Sequence, residues 1–91
     1  MSYDSVKTRF EKRGMLKCFE VVSALESLGF TVKEGKSPNH KIFEHDELPG
    51  FTTGSFNCGH GKNGEVKRPY LRKILKVLRD YEDELKALQG E

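Results

Sequence analysis

The spacing of apolar residues changes at Gly29, and that change limits what this chain can fold into. Before it, Met15, Cys18, Val21, Val22, Leu25 and Leu28 recur at intervals of three and four, the stripe of an amphipathic helix over 15–28. Lys17, Glu20, Ala24 and Ser27 take the opposite side. Gly29 stands where a left-handed residue ends a helix, and Phe30 follows it to pack back on Leu25. After the glycine the period becomes two. Phe30 to Glu34 alternates Phe, Thr, Val, Lys and Glu, which predicts a strand.

Two more strands follow. Gly35 to Asn39 reads as a turn, and His40 to His45 as the second strand. Pro49-Gly50 marks the next turn. Thr53 to Cys58 is the third strand, with Phe56 and Cys58 on one side and Ser55 and Asn57 on the other. Short links between consecutive strands predict an antiparallel meander. Ile42 and Phe43 are both apolar yet must face opposite ways. Phe43 is larger and is assigned to the core. His40, Ile42 and Glu44 then share the open side, and Lys41 and His45 fall on the core side near the sheet's ends.

Gly59 to Lys67 reads as a glycine-rich loop with a tight turn at Asn63-Gly64. It is not a phosphate-binding Walker loop, because Lys62 is followed by Asn63 rather than Ser or Thr. Pro69 fits the first turn of a last helix reaching about Ala87. Leu71, Ile74, Leu75, Leu78, Leu85 and Leu88 line one face of it, joined by Tyr81. Residues 1–14 form an arm or a short helix, with Asp4 as its cap and Val6 and Phe10 on one face. Residues 15–88 form a single domain, since 91 residues suffice for only one. The order is helix, three strands, helix. Two helices on one face of a small antiparallel sheet make an α+β sandwich.

Hydrophobic residues at 35% and charged residues at 33% describe a polar, globular chain. No apolar run approaches the roughly 18 residues of a membrane span. Met1 to Gly14 has no apolar core of a signal peptide, so none is expected. Cys18 and Cys58 then read as reduced thiols, with Cys18 on the core stripe, and the compartment as the cytoplasm. Lys62, Lys67, Arg68, Arg72, Lys73, Lys76 and Arg79 form a basic block, followed by Asp80, Glu82, Asp83 and Glu84. The block reads either as an anion-binding surface or as a helix face laced with ion pairs.

His40 is the candidate for chemistry. It opens a strand, so sheet pairing holds it while its ring faces the open side. An imidazole, with a reference pKa of about 6.5, exchanges protons near neutral pH. His45 and His60 read as exposed side chains. A zinc site from Cys58, His60, His40 and His45 lacks a second cysteine ligand and the usual spacing. No nucleophile stands beside a base in the manner of a protease or esterase.

The ordered set of motifs resembles the HicA-type mRNA interferase toxins. It comprises a helix ending in Leu28-Gly29-Phe30, His40 opening a strand with Phe43 three residues on, and Lys67-Arg68-Pro69-Tyr70 opening the last helix. That family has Gly-Ser before the histidine; here Pro38-Asn39 stand there, with Gly35 nearby. The resemblance implies the double-stranded-RNA-binding type of fold. It also implies a toxin endoribonuclease that cuts mRNA in the cytoplasm, without metal or cofactor. His40 would be the general base, taking a proton from the RNA 2′-OH. Lys41, Lys62 and Arg68 are candidates to steady the phosphate. Arg72, Lys76 and Arg79 offer an exposed face for the RNA backbone. A HicB-type antitoxin is the implied protein partner. A non-catalytic RNA-binding module of the same fold is the alternative, since fold does not imply function.

Overall fold

The core of the domain is a three-stranded antiparallel sheet covered on one face by helices. The structure is a computed structural model and describes residues 2–12, 14–59 and 64–90. The order of elements is α1 (Tyr3–Glu11), β1 (Leu16–Lys17), α2 (Cys18–Ser27), β2 (Thr31–Glu34), β3 (His40–Glu44), β4 (Gly54–Asn57), β5 (Glu65–Val66), α3 (Arg68–Asp80) and α4 (Glu82–Leu88). The sheet order β2-β3-β4 is the meander expected from the short links. Val32 pairs with Phe43, and Phe43 with Gly54. Phe43 and Phe56 are buried on the face covered by helices, with Leu25, Leu71, Ile74 and Leu78. Period-two alternation then puts His40, Ile42 and Glu44 on the open face, as the size of Phe43 required.

The end of α2 has the expected geometry. Gly29 has φ +90°, the Gly29 N–H donates to the Glu26 carbonyl, and the Phe30 N–H donates to the Leu25 carbonyl. These are the two bonds of a Schellman stop. The start of α2 differs from expectation. Leu16 and Lys17 pair with Val66 and Glu65 in a separate two-stranded ladder. The helix therefore begins at Cys18, and Met15, expected on the core stripe, is 47% exposed. Ala24, assigned to the polar side, is buried. The ladder also occupies part of the segment expected to be all loop. Residues 60–63 of that segment lie outside the described residues.

The last helix breaks at Tyr81, which leaves helical geometry at φ −116°, ψ 26°. Its ring packs edge-on against Phe51 with centroids 5.8 Å apart, while Leu78 and Leu85 on either side stay buried. The N-terminal segment is a docked helix. Ser2, not Asp4, caps α1, its hydroxyl accepting from the Ser5 N–H. Tyr3, Val6 and Phe10 are fully buried as α1 packs on α3 and α4.

Candidate active site

The hairpin between β2 and β3 positions His40. The Gly35 N–H donates to the His40 carbonyl at 2.7 Å, and the His40 N–H donates to the Ser37 carbonyl at 3.0 Å. The ring folds back over Gly35, where any Cβ would overlap Nδ1. Nδ1 accepts from the Lys36 N–H at 3.4 Å. At that length the bond biases the ring only weakly toward its Nε2–H tautomer. The Nδ1–Cε1 edge lies against Gly35, so the Nε2 edge faces away from it. His40 also lines a shallow hollow of about 330 Å³ with Ile42, Glu44, Thr53 and Ser55.

Directly opposite His40 on β4 is Asn57. The Cys58 N–H donates to the Asn39 carbonyl next to this pair. Bonded and non-bonded pairs alternate along an antiparallel ladder. The 40/57 pair is therefore non-bonded, the kind whose side chains stand closer together. The Asn57 Nδ2 donates to the Tyr70 hydroxyl at 2.8 Å. The Lys73 ammonium stands 5.9 Å from the centre of the Tyr70 ring. A line of polar groups thus runs from β3 across β4 to the first turn of α3. Sequence reasoning put Asn57 on the side of its strand away from Phe56 and Cys58 but gave it no role. The strand pairing that puts it opposite His40 is the signal that singles it out.

The basic residues divide into groups. Lys41 lies at the sheet's end, in a hollow with Pro38, Asn39 and Phe19. Lys62 lies outside the described residues. Arg68 donates through Nη1 to the Phe10 carbonyl at 2.9 Å and the Lys12 carbonyl at 2.7 Å, closing the end of α1. Lys76 pairs with Asp80 and Arg79 with Glu11, and Arg72 makes no ion pair among the described residues. These three lie on the face of α3 opposite the leucines that pack on the sheet. They are not brought together with His40, which faces out on the other side of the sheet. Lys33 lines the same hollow as His40, though it is paired with Glu44.

Two expectations are corrected. His45 is buried, not exposed: its Nε2 is 3.0 Å from the Leu28 carbonyl, and its Nδ1 accepts from the Glu47 N–H at 3.1 Å. These partners define the Nε2–H tautomer. The ring also stacks edge-on with Phe30 at 4.8 Å. Core-side parity, which looked tolerable only at a sheet end, is satisfied by backbone partners. The cysteines are not free thiols. Cys18 at the start of α2 and Cys58 after β4 form a disulfide, their Cα atoms brought within 5.5 Å by packing of the helix on the sheet. Cys58 therefore cannot be a thiolate ligand, and among the described residues no cluster of histidines, cysteines and carboxylates could hold a metal. His60 lies outside the described residues. No described helix is long and apolar enough to cross a membrane.

An imidazole beside an open hollow can move a proton at a bound group. The flanking amide, hydroxyl and ammonium can bind a phosphate. A family model described as the HicA toxin of bacterial toxin–antitoxin systems matches residues 19–79. No curated protein and no solved structure matches the chain.

Proposed function

The chain belongs to the HicA toxin family of bacterial toxin–antitoxin systems, and from that premise we propose that it is an endoribonuclease cutting mRNA with His40 as general base. As a toxin of such a system it has an antitoxin partner. The small α+β sandwich is consistent with the double-stranded-RNA-binding type of fold. The observation that carries the proposal is the His40 ring, seated on Gly35 by its Nδ1–Cε1 edge and lining an open hollow.

In this reaction the RNA 2′-OH attacks the adjacent phosphorus. His40 takes its proton at Nε2 once the long contact from the Lys36 N–H gives way to the Nδ1–H tautomer. A 2′,3′-cyclic phosphate forms and the 5′ oxygen leaves. The negative charge gathering on the phosphate favours nearby cations. Lys41, Lys62 and Arg68 are the candidates. Arg72, Lys76 and Arg79 would hold more distant phosphates, because exposed ion pairs are worth little and exchange readily. No metal or cofactor enters the scheme. The enzyme would act in the cytoplasm, where mRNA is. The antitoxin would be of the HicB type and would cover the open face around His40, since a domain this small offers no deep cleft to plug.

His40→Ala should fold, bind RNA, and lose about 10²–10⁴-fold in cleavage. Cleavage should survive EDTA and fail on a substrate with 2′-deoxyribose at the scissile position. Wild-type cleavage by folded His40→Ala would remove the proposal. Replacing Arg72, Lys76 and Arg79 together with Gln should flatten the salt dependence of RNA binding. Pro38-Asn39 in place of Gly-Ser favours a second reading, an RNA-binding module without cleavage. It predicts RNA binding and no arrest of growth on expression.

A further inference from the structure

Phosphoryl transfer to the 2′-OH needs two proton movements. One proton leaves the attacking hydroxyl, and one must reach the departing 5′ oxygen. His40 supplies the first group only. We propose that Tyr70 is the second, the proton donor to the 5′ oxygen; this rests on the ribonuclease reading above.

Place comes first. His40 and Asn57 are directly opposed on the open face, and the Asn57 amide reaches the Tyr70 hydroxyl at 2.8 Å. In-line displacement puts the attacking and leaving oxygens on opposite sides of phosphorus. The base and the acid must therefore stand apart with the phosphate between them. Asn57 links the two, paired with His40 across the ladder and bonded to the Tyr70 hydroxyl.

Polarity comes second. The Tyr70 oxygen accepts from Asn57, and its own O–H has no acceptor among the described residues. Accepting from Asn57 leaves the hydroxyl its own proton to donate. As its proton leaves, charge develops on the phenolic oxygen. The Asn57 N–H already points at that oxygen, and the Lys73 ammonium lies 5.9 Å from the ring centre. Both groups are in place before charge appears and need no reorganisation.

The step balances. The 2′ oxygen forms a bond to phosphorus and its proton passes to His40. The bond from phosphorus to the 5′ oxygen breaks, and its electron pair takes the Tyr70 proton. The products are the cyclic phosphate and a free 5′-hydroxyl. Water then carries the proton from the imidazolium to the phenolate and restores both groups.

The test uses two RNA oligomers, one of ordinary RNA and one with sulfur in place of the scissile 5′ oxygen. A thiolate leaves without a proton, so the sulfur substrate does not need the acid. Wild type should cut both. Tyr70→Phe should lose about 10²–10⁴-fold on ordinary RNA and return to within tenfold of wild type on the sulfur substrate. His40→Ala should fail on both. Asn57→Ala keeps the hydroxyl but removes its aim. It should show a smaller loss that sulfur also rescues, and it keeps the test open should Tyr70→Phe not fold. Equal losses of Tyr70→Phe on the two substrates would overturn the assignment, as would undiminished cutting of ordinary RNA by Tyr70→Phe. Failure of wild type on both oligomers would instead overturn the ribonuclease reading, and the role of Tyr70 with it.

Discussion

The imidazole of His40 occupies the space where a side chain on Gly35 would stand. The backbone of Gly35 does not require a glycine, since it has no positive φ. The constraint comes from the ring alone. A side chain at 35 would push away the Nδ1–Cε1 edge and shift the ring from its place beside the hollow.

Gly35→Ala should therefore act on catalysis more than on stability. The displaced group is a movable ring and not backbone, so the protein should stay folded with a melting temperature close to wild type. RNA cleavage should fall by about 10-fold or more, an effect of geometry on a positioned base. Adding His40→Ala should bring no loss beyond that of His40→Ala alone. A double-mutant cycle measures this, and additive losses would show that Gly35 acts elsewhere.

The two described histidines should behave oppositely under truncation. His45→Ala leaves the Leu28 carbonyl and the Glu47 N–H without partners and opens a cavity beside Phe30. It should cost about 2–4 kcal/mol, read as a lower urea midpoint at unchanged slope. His40→Ala, on the open face, should shift that midpoint little. Similar midpoints for the two variants would contradict the burial of His45.

Tyr3 should give the fold an alkaline limit. Its hydroxyl donates to the Leu78 carbonyl at 2.7 Å and to Glu82 at 3.4 Å. Burial first, then the negative charge of Glu82, hold its pKa well above the usual phenol value. The raised pKa means that its contribution is complete below a pH of about 10. That contribution is lost as pH rises through the folded-state value. Alkaline titration of phenolate absorbance should find one of the three tyrosines ionising only with unfolding. Tyr3→Phe should remove that delayed component. If every phenol in the folded protein titrates near its ordinary value, Tyr3 is not held as described.

Opening the disulfide should loosen the domain. Cys18 and Cys58 are 40 residues apart, and their bond ties the start of α2 to the end of β4, next to Asn57. Cross-links of this kind contribute about 2–4 kcal/mol, mainly by restricting the unfolded chain. Melting with and without reductant should show the difference, and Cys18→Ser with Cys58→Ser should match the reduced protein. Equal melting temperatures in both conditions would refute the contribution.

Local period carried a large part of this fold. The stripe from Cys18 to Leu28, the stop at Gly29 and the parity set by Phe43 are properties of neighbouring residues, and they suffice to predict α2, the meander and the open-face position of His40. The structure alone decided the features that join distant residues. Leu16 leaves the helical pattern because it pairs with Val66. Arg68 closes α1 across 58 residues, and the Tyr3 hydroxyl reaches a carbonyl 75 residues away. The disulfide, the burial of His45 and the bond from Asn57 to Tyr70 are of the same kind. Periodicity tells which side of an element is apolar, because that depends on the geometry of one helix or strand. It does not tell which polar groups meet when elements pack, because those contacts are set by the summed packing of the whole chain. The open-face position of His40 was therefore legible in the sequence, and the groups that pack or pair near it became so only in three dimensions.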